Sequence, residues 1–163
     1  MKLGREYKPL DITGSTQIYS PYLSWELALA EDFEAYANLG LDIKSIKKEQ
    51  DSDPTTKEQL RIPYFGFNFI KTDYQGQTSF SPKFSFGTSG FLGSYSRNHT
   101  LLSRDGTGGF FFKYEQSLNR IQRMFLGSYM TIRSQLQLAS RTLSSSEQFQ
   151  LGGADSVRGY PEG

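Results

Sequence analysis

Apolar and polar residues alternate with a period of two along most of this chain, as in strands whose two faces meet different surroundings. Met130, Ile132, Leu136 and Leu138 share one face, and Thr131, Arg133, Gln135 and Gln137 the other. Phe112, Tyr114 and Leu118 lie opposite Lys113, Glu115, Ser117 and Asn119. Pro82, Phe84 and Phe86 lie opposite Lys83, Ser85 and Gly87, and Phe65, Phe67 and Phe69 opposite Tyr64, Gly66 and Asn68. Ala37, Leu39, Leu41 and Ile43 oppose Asn38, Asp42 and Lys44, while Leu23, Trp25, Leu27 and Leu29 oppose Ser24 and Glu26. Residues 25–41 are rich in Glu, Ala and Leu, which favour helix by propensity. The period-two pattern on either side of residues 31–34 instead predicts two strands and a short turn. With a weaker strand over residues 2–9, the pattern predicts about seven strands in an all-β fold.

Most of these strands are longer than the five or six residues usual in globular proteins, and match the roughly 9–11 that cross a bilayer obliquely. The connections alternate. Those at residues 31–34, 73–77 and 122–127 are short. Those at 10–16, 47–59 and 94–107 are long and rich in Asp, Ser, Thr, Gly and Lys. Tight turns at one rim and long loops at the other are the habit of outer-membrane barrels. Periodicity alone leaves two architectures open, because turning a sheet inside out does not change it. A soluble β-sandwich buries the apolar face, and a membrane barrel shows it to lipid. Strand length and loop alternation favour the barrel. On that reading Leu27, Leu39, Phe67, Phe84, Phe112 and Leu136 point away from the barrel axis.

Composition narrows the chemistry. Phe and Tyr number 13 and 10 and Gly 16, a mixture suited to pleated strands and turns. No segment approaches the roughly 18 apolar residues of a membrane helix. The net charge of +1 gives no electrostatic footprint for nucleic acid. The absence of Cys excludes thiol nucleophiles, zinc knuckles and disulfides. The one His, His99, falls in a predicted loop without companion ligands, so neither a metal nor a cofactor is expected. Ser144, Ser145 and Ser146 lack a G-x-S-x-G context, Gly106–Gly109 lacks the Lys-Ser/Thr of a phosphate loop, and the DSDP at 51–54 lacks the spacing of a calcium loop. No enzyme is expected. The first ten residues contain no apolar signal core, and the last strand is followed only by a Gly-rich tail, so both ends are expected to continue in a longer protein.

That tail carries the most specific pattern. Residues 144–163 read SSSEQFQLGGADSVRGYPEG. Ser145, Glu147, Phe149, Leu151, Gly152, Gly153, Ser156, Val157, Arg158, Gly159 and Tyr160 fit the pattern S-x-E-x-F-x-L/I-G-G-x-x-S-V-R-G-Y/F. This stretch resembles the signature loop of the TpsB transporters of two-partner secretion, the haemolysin secretion/activation proteins. The shorter VRGY core is shared with the wider BamA-like superfamily. The close match covers about twenty residues, and the rest of the chain agrees in style.

The resemblance implies an antiparallel transmembrane β-barrel in the bacterial outer membrane. Residues 1–163 would form about seven strands of a sixteen-stranded barrel, an open curved sheet in isolation, with 144–163 starting the VRGY loop after strand eleven. POTRA domains and the final strands would lie elsewhere in the protein. The implied function is translocation of an unfolded exoprotein client of haemolysin or adhesin type. The alternatives are a BamA-like insertase and a soluble β-sandwich that binds a ligand. The implied functional residues are Gly152, Gly153, Val157, Arg158, Gly159 and Tyr160. In the family the loop folds into the lumen, and the arginine matching Arg158 pairs with a carboxylate later in sequence. The implied partners are the client and outer-membrane lipid, with no nucleic acid. The charged residues Glu26, Asp42, Lys44, Lys83, Lys113, Glu115 and Arg133 are expected to line the lumen, mostly as ordinary ion pairs.

Overall fold

A computed structural model describes residues 12–50, 53–94, 107 and 109–149. Seven strands form one antiparallel, open, curved sheet, a half-barrel. They are β1 (Ile12–Tyr19), β2 (Tyr22–Leu29), β3 (Phe33–Gln50), β4 (Asp53–Asp73), β5 (Gly76–Gly87), β6 (Phe111–Arg123) and β7 (Tyr129–Ala139). The described residues include three short 3-10 turns and no α-helix. The helix-prone stretch 25–41 is two strands and a turn, as its alternation predicts. The predicted strand at residues 2–9 and the loop around His99 lie outside the described residues.

β1 and β2 are two halves of one line. Both pair with β3, and one register runs from Ile12↔Gln50 through Tyr19↔Ile43 to Tyr22↔Gly40. Pro21 interrupts the line because it has no N–H to donate. Its carbonyl still accepts from the Leu41 N–H at 3.0 Å. The sheet is therefore six strand lines wide, and its seventh segment comes from this break.

Two expectations are corrected. Residues 47–59 were expected to be a long loop, yet β3 runs to Gln50 and β4 starts at Asp53, with Lys47↔Lys57 paired between them. Likewise 10–16 is largely strand from Ile12 onward. Backbone ladders carry these extensions, and residues 47–49 and 56–59 are polar at every position, so no alternation marks them. Second, Leu29 does not continue the row of Leu23 and Trp25. A bulge between Glu26 and Ala28 shifts the register, and Leu29 pairs with Glu34.

Cross-strand register sorts the faces. One row on the convex face runs Leu23–Leu39–Phe65–Phe84–Tyr114–Leu138. The rings on this face pack along and across strands: Phe65 and Phe84 stack with centroids 4.7 Å apart, and Phe86 and Phe112 meet tilted at 5.4 Å. Packing does not hide this face, and Phe65 and Phe86 stay exposed. Leu23, Leu27, Leu39, Phe112, Leu136 and Leu138 all remain exposed, with Leu39 at 50%. The buried apolar cluster is small and sits on the other face, where Leu60 and Ile62 of β4 meet Phe111 and Leu143. The expected division into one apolar and one polar face is thus broken at the rim where β3 and β4 extend.

Glycines on the concave face give room to rings. A Cβ on Gly40 would lie 2.5 Å from the Tyr64 ring, its register partner. Two other residues mark strained turns. Leu92 and Leu126 adopt φ values of 47° and 58°. This left-handed conformation costs a side-chain-bearing residue about 1–2 kcal/mol.

We predict that Gly40→Val destabilises the sheet by about 1–3 kcal/mol, an overpacking cost, because the Tyr64 ring must leave its place. Urea unfolding of the full-length protein checks this. An unchanged midpoint would mean that the ring moves freely.

Candidate functional site

The candidate site is on the concave face, where the chain leaving β7 turns back over the sheet. The turn is set locally. Ser140 closes the last rung with Phe112, its N–H donating to the Phe112 carbonyl and its Oγ accepting from the Phe112 N–H, both at 2.9 Å. Leu143 then drops into the cluster of Leu60, Ile62 and Phe111. A 3-10 turn follows at Ser145–Glu147. Ser144 caps it by accepting from the Ser146 N–H, and the Glu147 N–H donates to the Ser144 carbonyl at 2.9 Å.

This turn aims Glu147 into the sheet. Its side chain is 2% exposed, and each carboxylate oxygen takes one ammonium group. Lys44 of β3 reaches Oε1 at 2.5 Å, and Lys113 of β6 reaches Oε2 at 2.8 Å. Lys113, also buried, has a second partner in Glu115 at 3.1 Å. The Glu147 carbonyl accepts from Gln137 Nε2 of β7 at 2.7 Å. Beside it the buried Glu58 of β4 accepts from Ser144 Oγ at 2.5 Å. Four strands therefore grip one short segment.

Burying an ion pair brings little net stability, because desolvation offsets attraction. Its larger effect is specificity. In this placement Glu147, Lys113 and Glu58 are all partnered, so the pairs fix position more than they add stability. Nothing in the arrangement resembles a nucleophile with its base: Ser144 donates to a carboxylate, and the described residues include no His. The chemistry on view is anchorage.

Next to the anchor lies an open hollow of about 770 Å³. Asn38, Asn68, Lys83, Glu115, Ser117 and Gln137 line it, and Phe149 reaches over it. Lys83 sits 3.8 Å above the Tyr64 ring and 3.3 Å from Asp42. The expected concave placement of Asp42, Lys44, Lys83, Lys113 and Glu115 agrees with these contacts. Arg133 pairs with Asn119 and Glu26 with Tyr36, which places both on the same face by register.

The motif residues Gly152, Gly153, Val157, Arg158, Gly159 and Tyr160 lie outside the described residues. Glu147 belongs to the same sequence pattern, but nothing in the pattern assigns it an anchoring role. A signal for one was present: alternation places Lys44 and Lys113 on the face to which the segment returns. No family model, curated protein or solved structure matches the chain.

We predict that Glu147→Ala, which leaves Lys113 buried without its main partner, costs about 3–5 kcal/mol where the pair is fully dry, and less where water reaches Lys44. Limited proteolysis of the full-length protein should then cut within residues 140–149. Adding Lys113→Met should restore part of the resistance by removing the stranded charge. Unchanged resistance in Glu147→Ala would show that Leu143 alone seats the segment.

Proposed function

We propose that this chain is part of an outer-membrane barrel of the two-partner secretion type, which passes an unfolded exoprotein through its lumen. The observation that carries the reading is the inverted distribution of chemistry on the sheet. Between the rims the large apolar side chains stand exposed on the convex face, where the Arg120–Asp73 pair lies at the β4–β5 turn, and the concave face holds charges, amides and an anchored segment. A soluble sandwich would need a second layer over the convex face. Here the chain returns over the concave one instead. Contiguous exposed apolar surface requires a cover, and lipid supplies it for a barrel.

The anchored segment leads directly into the VRGY stretch, which gives the resemblance a physical setting. Glu147 ties the base of the loop to the wall, and Arg158 sits 11 residues further on, in the part that would reach into the lumen. An unfolded client offers backbone amides and mixed side chains. A wall of Asn, Ser, Gln and paired charges binds such a chain weakly everywhere and tightly nowhere, as passage requires.

Two measurements test this reading. In the full-length protein, Arg158→Ala should reduce client secretion while the barrel keeps its heat-modifiable migration on a gel. Arg158→Lys should also be impaired, because an ammonium group lacks the bidentate fork of the guanidinium. Normal secretion by the Ala variant would remove Arg158 from the mechanism, and loss of the folded band would make its role structural. Leu136→Arg, on the convex face of β7, should cost about 2–4 kcal/mol in the folded barrel if it lies near mid-membrane. A full-length protein that stays soluble and monomeric without detergent would overturn the proposal as a whole.

A further inference from the structure

The tetrapeptide Phe-Leu-Gly-Ser occurs twice, at 91–94 and 125–128, and folds the same way each time. In both copies the serine N–H donates to the phenylalanine carbonyl, at 3.0 Å and 3.3 Å. In both copies the residue before the phenylalanine also donates to the serine carbonyl, Gly90 to Ser94 at 3.2 Å and Met124 to Ser128 at 2.8 Å. In both the leucine is held at positive φ, followed by a glycine also at positive φ. Glycine or asparagine would meet the backbone demand at Leu92 and Leu126 without strain. Instead each turn presents an exposed apolar tip, and Leu126 is 95% exposed. A turn built only to reverse the chain needs neither the strain nor the exposed leucine.

The two copies lie at opposite rims. One follows β5 and the other joins β6 to β7. Between them β6 spans 13 residues. At about 3.4 Å per residue that is roughly 44 Å of strand, or about 34 Å along the barrel axis at a tilt near 40°. A bilayer has a hydrocarbon core of about 30 Å and measures about 40–45 Å with its headgroups. The spacing therefore places each tip in the boundary zone of its own leaflet.

Both tips are continuous with the convex apolar surface. Phe91 shares a hollow with Pro21, Leu23, Leu39, Leu41 and Pro63. The second turn begins at Met124 and runs on into the exposed Met130 and Ile132 of β7. A protein partner would account for one rim. A bilayer is the one occupant present at both.

The geometry points to the two Phe-Leu-Gly-Ser turns as paired interfacial anchors, one per leaflet, that insert Phe and Leu among lipid headgroups and upper acyl chains and so fix the height of the barrel. The inference rests on the membrane reading proposed above.

Trp25 pairs with Ala37 on the convex face between the two rims, and makes a control for that reading. The full-length protein is inserted into phosphatidylcholine vesicles in versions that each carry one tryptophan. One keeps Trp25. The others combine Trp25→Phe with Phe91→Trp at one rim, or, at the other, with Leu126→Trp or with Phe125→Trp, which leaves the strained leucine in place should Leu126→Trp fail to fold. Bromines are placed on the lipid chains either near the headgroup or near the chain end. Trp25 should be quenched most by deep bromines. Each tip probe should show blue-shifted emission and lose most intensity to shallow bromines. Quenched Trp25 with unquenched, red-emitting tips overturns the anchors and leaves the membrane reading standing. Tips quenched most by deep bromines overturn the placement at the boundary. No quenching at any position overturns both.

Discussion

The register of the antiparallel ladder is the constraint on which everything else depends. Side chains alternate strictly, so a slip of one residue would exchange the two faces of a strand. A single register runs from Phe33↔Lys71 to Lys48↔Thr56, and another from Gly76↔Gln122 to Gly87↔Phe111. These long ladders keep Phe65 beside Phe84 on one face and Lys113 within reach of Lys44 on the other. Both bulges stand at strand-pair ends, between Glu26 and Ala28 and between Lys48 and Glu49, away from the stacked rings and from Glu147.

Given that register, the anchor follows from charge and shape. Lys44 and Lys113 sit on strands that are not neighbours, with β4 and β5 between them. The curved sheet brings their ammonium groups to one carboxylate. Curvature and anchor are therefore coupled: flattening the sheet would draw the two lysines apart and strand Glu147. The wall residues Leu60, Ile62 and Phe111 exclude water from this corner. Their presence explains why an apolar patch interrupts an otherwise polar face.

Most strands and their faces were legible in the sequence, because a period-two pattern sets large apolar side chains on one side. The 25–41 stretch shows alternation outweighing helix propensity once neighbouring strands are available to pair. The extensions of β3 and β4 were not legible, since Lys47, Lys48, Thr56 and Lys57 carry no face contrast. The bulge at Leu27 was hidden for a related reason: Leu and Ala follow one another there, and either could have held the outward position. At the site, the lysines were legible as face residues. Their meeting at Glu147 depends on the curvature of the whole sheet, which no local pattern encodes. The repeated Phe-Leu-Gly-Ser was readable as letters, but its left-handed leucines were not, because nothing in the residue type announces them.

The edges of the sheet impose the last condition. Among the described residues, β1 and β2 pair only with β3, and β7 only with β6. Each outer strand therefore presents a row of N–H and C=O groups to whatever lies beside it. In water such groups are solvated, and an open sheet with polar edges can persist. In lipid each one left unsatisfied costs several kcal/mol, more than the burial of a neighbouring apolar side chain returns. The convex face, on the membrane reading, would favour lipid, while the unpaired edges would forbid it. On the membrane reading the two conditions are met together only when further strands complete the ring. On that reading the half-barrel would be one wall of a pore, with the segment anchored by Glu147 on its inner side.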